Sequence, residues 1–351
     1  MKSNMFKKWF YLTVAIMVIF VSGCGKQTTK GDQIKVGVSI ALEANNTVKT
    51  WYEAIKARGE SYGFDVIGID AQGDPGKQVS DIDSLLAQGV DAVVVWPLDA
   101  NALTSTIDRV RDQDIPVFGI DFNVELGGSD YGLTNQIILG RGDTAEKVAE
   151  LFAENLPEGA EVAGIGYAVP VPGNTFIMKK LKSEIEKHSH LQWVGQQDNP
   201  TDNISGAEPL MSNILTKNPN LKALFTYNDE SAIGAAQAVL NANKKLYSAE
   251  NPEGIMIIGF NAEESGIEAI EQGKEYATFN LNPVKAGAAS VDYIHQLLVE
   301  GVGLATIPAE TVIPSPMVDK TTLSQFDSWE EELKLIIEGK SFDPFDESGT
   351  E

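Results

Sequence analysis

Along most of this chain, short apolar runs alternate with amphipathic segments, and that alternation restricts the fold more than any other feature. The runs cover residues 34–40, 65–69, 92–96, 117–120, 161–166, 192–195, 223–226, 255–260 and 276–279. They are rich in β-branched residues and continuously apolar, as strands are when both faces of a parallel sheet are covered. Residues 144–156 form the clearest intervening segment, with Ala145, Val148, Ala149, Leu151, Phe152 and Leu156 on one stripe. Asp143 and Glu146 have the spacing of an N-terminal capping pair, and Pro157-Glu158-Gly159 stops the helix. The triplet Arg141-Gly142-Asp143 therefore reads as the start of this helix and not as an adhesion signal. Segments 78–88, 101–113, 175–187, 204–217 and 230–243 repeat the theme. Strands and helices in this order predict doubly wound α/β layers. Nine strands would overfill one ordinary sheet, so two smaller sheets are expected. The Gly-rich stretch 124–132 is the expected first crossing between them. After Pro308 the pattern fades, and residues 317–351 read as an acidic tail, with a surface helix expected at Trp329–Ile337 and disorder at 343–351.

The N-terminus reads as an address. Lys2, Lys7 and Lys8 precede an uncharged apolar run at 9–21, which ends in Val21-Ser22-Gly23-Cys24. This is a secretory signal pattern, and the run is too short to span a membrane as a folded anchor. Its ending is similar to the bacterial lipoprotein signal, in which the cysteine becomes the acylated first residue. Cys24 is the only cysteine, so no intrachain disulfide and no further thiol are available. Two acyl chains would hold a soluble domain at a membrane surface. Residues 24–33 are polar and read as a tether. The formal net charge of −23 is repelled by nucleic acid and anionic headgroups, so no nucleic-acid partner is expected.

Ligands of open parallel sheets bind beyond the carboxyl ends of the strands. The residues following the strands are Asn45, Asn46 and Trp51, then Asp70 and Gln72, then Trp96 and Asp99, then Asp121, Phe122 and Asn123. Later ends supply Tyr167 and Asn174, Gln197 and Asp198, Tyr227-Asn228-Asp229, Asn261, and Asn280 with Asn282. Amides and carboxylates suit hydroxyl groups, and aromatic faces suit the apolar face of a ring sugar or polyol. Asp99 and Asp229 also suit helix caps, and Trp51 suits a core. The motifs of phosphate loops, nucleophile elbows and zinc proteases are absent. His188, His190 and His295 lack a third ligand in sight, so no metal and no cofactor are expected. Without a convincing base or nucleophile, an enzyme is disfavoured.

The chain resembles the periplasmic-binding-protein type 1 family, in the ribose- and galactose-binding branch. The resemblance rests on Gly89-Val90-Asp91-Ala92 running into Val95-Trp96-Pro97, and on Ile115-Pro116-Val117 running into Ile120-Asp121. It continues with Ala223 through Asp229 ahead of Gly234-Ala235, Gly259-Phe260-Asn261, and Ala277-Thr278-Phe279 ahead of Pro283. It implies two doubly wound lobes joined by three crossovers, expected near Thr134, Asn282 and Ala305. The implied first lobe comprises 34–134 plus 283–305, and the second 135–282 plus 306–316. It also implies a monomeric solute-binding lipoprotein that closes on a sugar or polyol and docks on the permease of an ABC importer. The strand ends and the resemblance together give as ligand-binding candidates Asn45, Asn46, Trp51, Trp96, Asp121, Phe122, Asn135, Tyr167, Asn174, Asn228, Asn261 and Asn280. Phe122 and Asn174 stand where arginines are expected, and Phe122 is the favoured stacking ring, with Trp51 and Trp96 as alternatives. With no cation in the pocket, a neutral polyhydroxy ligand follows. A sensor lipoprotein would use the same clamshell. A repressor of the lactose type would carry a basic DNA-binding segment where this chain carries its signal.

Overall fold

The computed structural model describes residues 33–128 and 130–346. Cys24, the signal pattern, nearly all of the tether and the last five residues of the tail lie outside the described residues. Between Gln33 and Asp346 the chain builds two six-stranded sheets flanked by helices.

The first sheet has the order β11-β5-β4-β3-β1-β2, with β1 Lys35–Ile40, β2 Asp65–Asp70, β3 Ala92–Val95, β4 Val117–Ile120, β5 Asn135–Leu139 and β11 Glu310–Ile313. All its pairings are parallel. The second has the order β12-β10-β9-β8-β6-β7, with β6 Ala160–Tyr167, β7 Leu191–Asn199, β8 Leu221–Thr226, β9 Met256–Ile258, β10 Ala277–Phe279 and β12 Met317–Asp319. Only β12 runs antiparallel. Burial explains the continuous apolar runs. Val36, Val38, Val94, Phe118 and Ile120 in one sheet, and Val162, Ala223, Phe225 and Ile258 in the other, have no exposed surface.

Three strands escaped the sequence pattern. β5 opens with Asn135 and Gln136, while β11 and β12 are short, partly exposed edge strands. Their placement moves two crossings. Stretch 124–132 joins β4 to β5, which are neighbours in one sheet, so it does not leave the first lobe. The chain leaves after Leu139, not at Thr134, and Glu310–Ile313 belongs to the first sheet, not the second. The crossings are at Gly140, at 280–282 and at 314–316. A Cβ on Gly140 would lie 2.8 Å from the Ser315 amide nitrogen, so only glycine lets these two crossing strands approach. At the middle crossing Asn282 takes the left-handed conformation, φ 55°.

Helix caps place the strand-end side chains. Asn45 caps α1 (Asn46–Ser61), Asp99 caps α3 (Ala100–Arg111), and Asp74 caps α2 (Pro75–Ala87) with proline at its first turn. Two expectations are corrected. Helix α4 (Arg141–Asn155) starts on Gly140 without a side-chain cap, so Asp143 lies inside its first turn. Helix α7 (Asp229–Asn241) is capped by Asn228, whose Oδ1 accepts from the Ser231 amide at 2.8 Å, and Asp229 is fully buried. Helices α5 (Pro172–Ile185), α6 (Ile204–Lys217), α8 (Glu264–Glu271) and α9 (Pro283–Leu298) complete the lobes. The tail is more integrated than its composition suggests. Helix α10 (Trp329–Ile337) forms as expected, but it packs on α1 and α9 and buries Trp329, whose indole N–H donates to Asn280 Oδ1 at 2.8 Å.

Candidate functional site: the interlobe cleft

The carboxyl ends of both sheets face one cleft. Its wall is formed by Ala41, Leu42, Asn45, Thr47, Val48, Trp96, Pro97 and Leu98 from the first lobe. From the second come Arg141, Tyr167, Val171, Asp202, Tyr227 and Asn261, and Leu281 comes from the middle crossing.

Besides the Arg141–Asp121 ion pair, two side-chain hydrogen bonds join the lobes here. Thr47 Oγ1 donates to Glu263 Oε1 at 2.9 Å, and Asn45 Nδ2 donates to Asp202 Oδ2 at 3.3 Å. Asn228 lies behind Asp202 and donates to its Oδ1 at 2.7 Å and its backbone oxygen at 3.1 Å. Burial pushes the Asp202 carboxyl up to about 7; the nearby Glu263 and Glu230 add to the rise, and the two asparagine amides oppose it. Burial raises Glu263 as well.

The cleft contains an arginine. Arg141, read from the sequence as part of a helix start, is 1% exposed and lines the wall. Its Nε donates to Asp121 Oδ2 at 2.8 Å, while its guanidinium lies over the rings of Phe260 and Tyr227, with centroids at 5.2 and 5.6 Å. Its Nη1 is buried and has no hydrogen-bond partner within the protein. The expectation of a pocket without a cation is therefore corrected. The arginine arrives from the first crossing and not from the positions held by Phe122 and Asn174.

Of the expected ligand-binding residues, Asn45, Trp96, Tyr167 and Asn261 line the cleft. Asp121, Asn174 and Asn228 stand just behind it. Both oxygens of Asp121 are used, by Arg141 and by the Leu139 amide at 3.0 Å, so this carboxylate orients the arginine. Asn174 clamps the backbone of Tyr167, accepting from its N–H at 3.0 Å and donating to its carbonyl at 2.9 Å. The other five fall elsewhere. Asn46 is exposed, because the first turn of α1 presents Thr47 to the cleft instead. Trp51 is fully buried and meets Trp96 edge-to-face at 5.5 Å. Phe122 is 3% exposed and packs against Tyr131 inside the first lobe, so it is not the stacking ring. Asn135 belongs to β5, where it donates to Pro308 O and Thr311 Oγ1. Asn280 is held by Trp329 and Asn282 at the middle crossing.

Sequence reasoning missed Thr47, Arg141, Asp202, Tyr227 and Glu263 as site residues. Tyr227 was visible as a strand-end aromatic. Arg141 carried a signal too, as a lone arginine directly after the apolar run Ile137-Ile138-Leu139-Gly140. Among the described residues no group of three or more histidine, cysteine, aspartate or glutamate side chains could hold a metal ion.

A family model described as a periplasmic binding protein domain matches residues 36–301. The chain belongs to the periplasmic binding protein family. Ribose import binding protein RbsB of Bacillus subtilis (strain 168) is 28% identical over 284 residues, covering 80% of this chain and 88% of the relative. The Xylitol-binding protein of Mycolicibacterium smegmatis is 21% identical over 289 residues, covering 82% of this chain and 78% of its own length. Among solved structures, a solute-binding protein of Bacillus halodurans C-125 with bound myo-inositol superposes with a TM-score of 0.72 at 24% identity, over 86% of this chain and 99% of that one. The Caulobacter myo-inositol binding protein bound to myo-inositol gives 0.74 at 20% identity, over 85% and 97%. The fold is thus that of the type 1 clamshell. These relatives of the binding protein are substrate-binding transport proteins and not enzymes, and ABC importer proteins of this family work outside the cytoplasm.

Proposed function

We propose that this binding protein captures a neutral sugar, sugar alcohol or related polyhydroxy compound between its lobes and delivers it to the permease of an ABC importer. The carrying observation is the pairing of Arg141 with Asp121 at the edge of the cleft. The arginine charge is balanced inside the protein, so it does not call for an anionic ligand. Its unpartnered Nη1 still offers a donor to a hydroxyl or ring oxygen. Trp96, Tyr167 and Tyr227 supply aromatic surface, and Asn45 and Asn261 supply amides. The relatives named for ribose and xylitol and the neighbours holding myo-inositol support the same ligand class.

The contacts between lobes support closure as the working motion, with ligand contacts to both lobes favouring the closed form. A thermal-shift and calorimetric screen of pentoses, hexoses, polyols and their phosphates tests the ligand class. The expected result is one ligand per monomer, with a smaller radius of gyration in solution scattering at saturation. Tight binding of a sugar phosphate or sugar acid, without competition from any neutral compound, would overturn the reading. The Val21-Ser22-Gly23-Cys24 ending supports a lipid anchor at Cys24. Mass spectrometry of membrane-extracted protein is expected to give an acylated peptide beginning at Cys24, and Cys24→Ala is expected to release the protein from the membrane.

A further inference from the structure

We infer that Asp202 sets specificity in the cleft: its ionised carboxylate accepts hydrogen bonds from ligand hydroxyls and ties the ligand to Asn45 and Asn228, one from each lobe. The inference rests on the sugar or polyol reading above and goes beyond it, because it assigns proton-linked recognition to a residue outside the strand ends.

Asp202 sits between β7 and α6 with φ 52°, a left-handed backbone that aspartate tolerates better than most side chains. That conformation accompanies a carboxylate in the cleft wall. Its two oxygens are treated alike. Oδ1 accepts from Asn228 Nδ2 and Oδ2 accepts from Asn45 Nδ2. Both partners are N–H donors, so the arrangement matches an ionised carboxylate. Each carboxylate oxygen can accept a second bond, which leaves acceptor capacity for a pair of hydroxyls.

The surroundings make that ionised state costly. The ionisable groups facing Asp202 are Glu263 ahead of α8, Glu230 on α7, Tyr167 at the end of β6 and Tyr227 after β8. None is a cation, and the nearby Arg141 is engaged by Asp121. With burial first and the glutamates second, the carboxyl is held up at about 7. Ligand hydroxyls that donate to it would act as the asparagine amides do and favour ionisation. Binding therefore releases a proton wherever Asp202 is still protonated. The sign follows directly: affinity rises as pH rises towards about 7 and then levels off. A neutral asparagine at this position would have no such dependence.

The probes are D-ribose, D-allose, xylitol and myo-inositol, measured by calorimetry on the intact mature protein between pH 6 and pH 8. For whichever binds tightest, the dissociation constant is expected to fall about tenfold over this range, as one linked proton requires. Near pH 7, titrations in two buffers of different ionisation enthalpy are expected to show fractional proton release per ligand. Asp202→Asn is expected to bind about ten- to a hundredfold more weakly at pH 8, as for loss of a hydrogen bond to a charged group, with a flat pH profile. A merely structural role would weaken binding without proton release. Tight wild-type binding with a flat profile and no proton release overturns this inference and leaves the sugar reading standing. Failure of all four probes to bind overturns both. The buffer experiment needs only the wild-type protein, so a poorly folding variant does not blunt it.

Discussion

The first lobe lines the cleft with Ala41, Leu42, Val48, Trp96, Pro97 and Leu98 beside the polar Asn45 and Thr47, whereas the second lines it with Arg141, Tyr167, Asp202, Tyr227 and Asn261 beside Val171. The first set is largely apolar and gives shape. The second contains both charged residues of the wall. Their buried acids differ in the same direction. The buried acid at the first lobe's edge of the cleft, Asp121, has a bonded arginine. Burial raises Asp121 too, with Arg141 opposing the rise, whereas in the second lobe Asp202, Asp229, Glu263 and Glu275 are raised by burial with no arginine or lysine among their bonds. Asp229 and Glu275 lie side by side in its interior, so protonation relieves their repulsion. At the cleft, then, the first lobe's buried acid is held by an ion pair, and those of the second lobe are not.

The ion pair between the lobes is the first place to break this contrast. Arg141 and Asp121 are each nearly fully buried, at 1% and 2% side-chain exposure. Removing one partner strands the other charge, at a cost of about 3–5 kcal/mol. Arg141→Ala is expected to lose stability of that size in urea denaturation. The double variant Arg141→Met with Asp121→Asn is expected to recover most of it, since no unpaired charge remains. Equal losses in the two variants would show that packing over Phe260 and Tyr227, not charge, makes this position matter.

Titration of the second lobe should give the next largest effect. The Asp202 carboxyl is raised from 3.8 to about 7, chiefly by burial. A carboxyl raised on folding stabilises the native state fully below its unfolded value, and that stability is lost as pH climbs to the folded value. The window is therefore about pH 4 to 7, with stability falling upward. At about 1.4 kcal/mol per unit the ceiling for this group is roughly 4 kcal/mol. Denaturation curves for the ligand-free protein are expected to show the fall, and Asp202→Asn is expected to flatten its share. A profile unchanged by the substitution would place the sensitivity in the Asp229–Glu275 pair instead.

Aromatic residues sharpen the contrast further, because the first lobe has three near the cleft and shows only one to it. Trp96 lines the wall, Trp51 supports it from beneath and Phe122 faces the lobe interior. An aromatic contact contributes about 0.5–1.5 kcal/mol beyond the area it buries. Trp96→Ala is expected to weaken ligand binding about tenfold by calorimetry. Phe122→Ala is expected to lower the melting temperature and leave affinity unchanged. Loss of affinity in Phe122→Ala at full occupancy of the native state would return that ring to the site.

These residues also show what the sequence could reveal. Most of the nine legible strands showed because burial on both faces leaves continuous apolar runs, as at Val93–Val94–Val95 and Phe225, whereas the fully buried β5 was hidden by its opening Asn135 and Gln136. Edge strands β11 and β12 were not legible, because they are only 4 and 3 residues long and partly exposed. The amide character of the cleft was legible in the strand ends. Which of two adjacent side chains turns inward was not, since Phe122 and Asp121 differ by one residue and face different interiors. Arg141 and Asp202 were hidden for another reason. They enter from a crossing and a loop, and only the packing of the lobes brings them to the cleft.

The smallest effect separates two neighbours of identical chemistry. Asn45 caps α1 through the Val48 amide at 3.1 Å and reaches Asp202 with its other side-chain atom at 3.3 Å. Asn46 follows it in the helix and is exposed. Loss of a helix cap costs about 1 kcal/mol, and the long bond to Asp202 adds little in the ligand-free protein. Surface substitutions away from such features stay within about 0.5 kcal/mol. Asn45→Ala is therefore expected to lose about 1 kcal/mol of stability and to weaken ligand binding, because it removes the first lobe's hold on Asp202. Asn46→Ala is expected to change neither measurement. Should both variants bind alike, the first lobe would contribute shape alone, and the polar grip on the ligand would belong to the second lobe entirely.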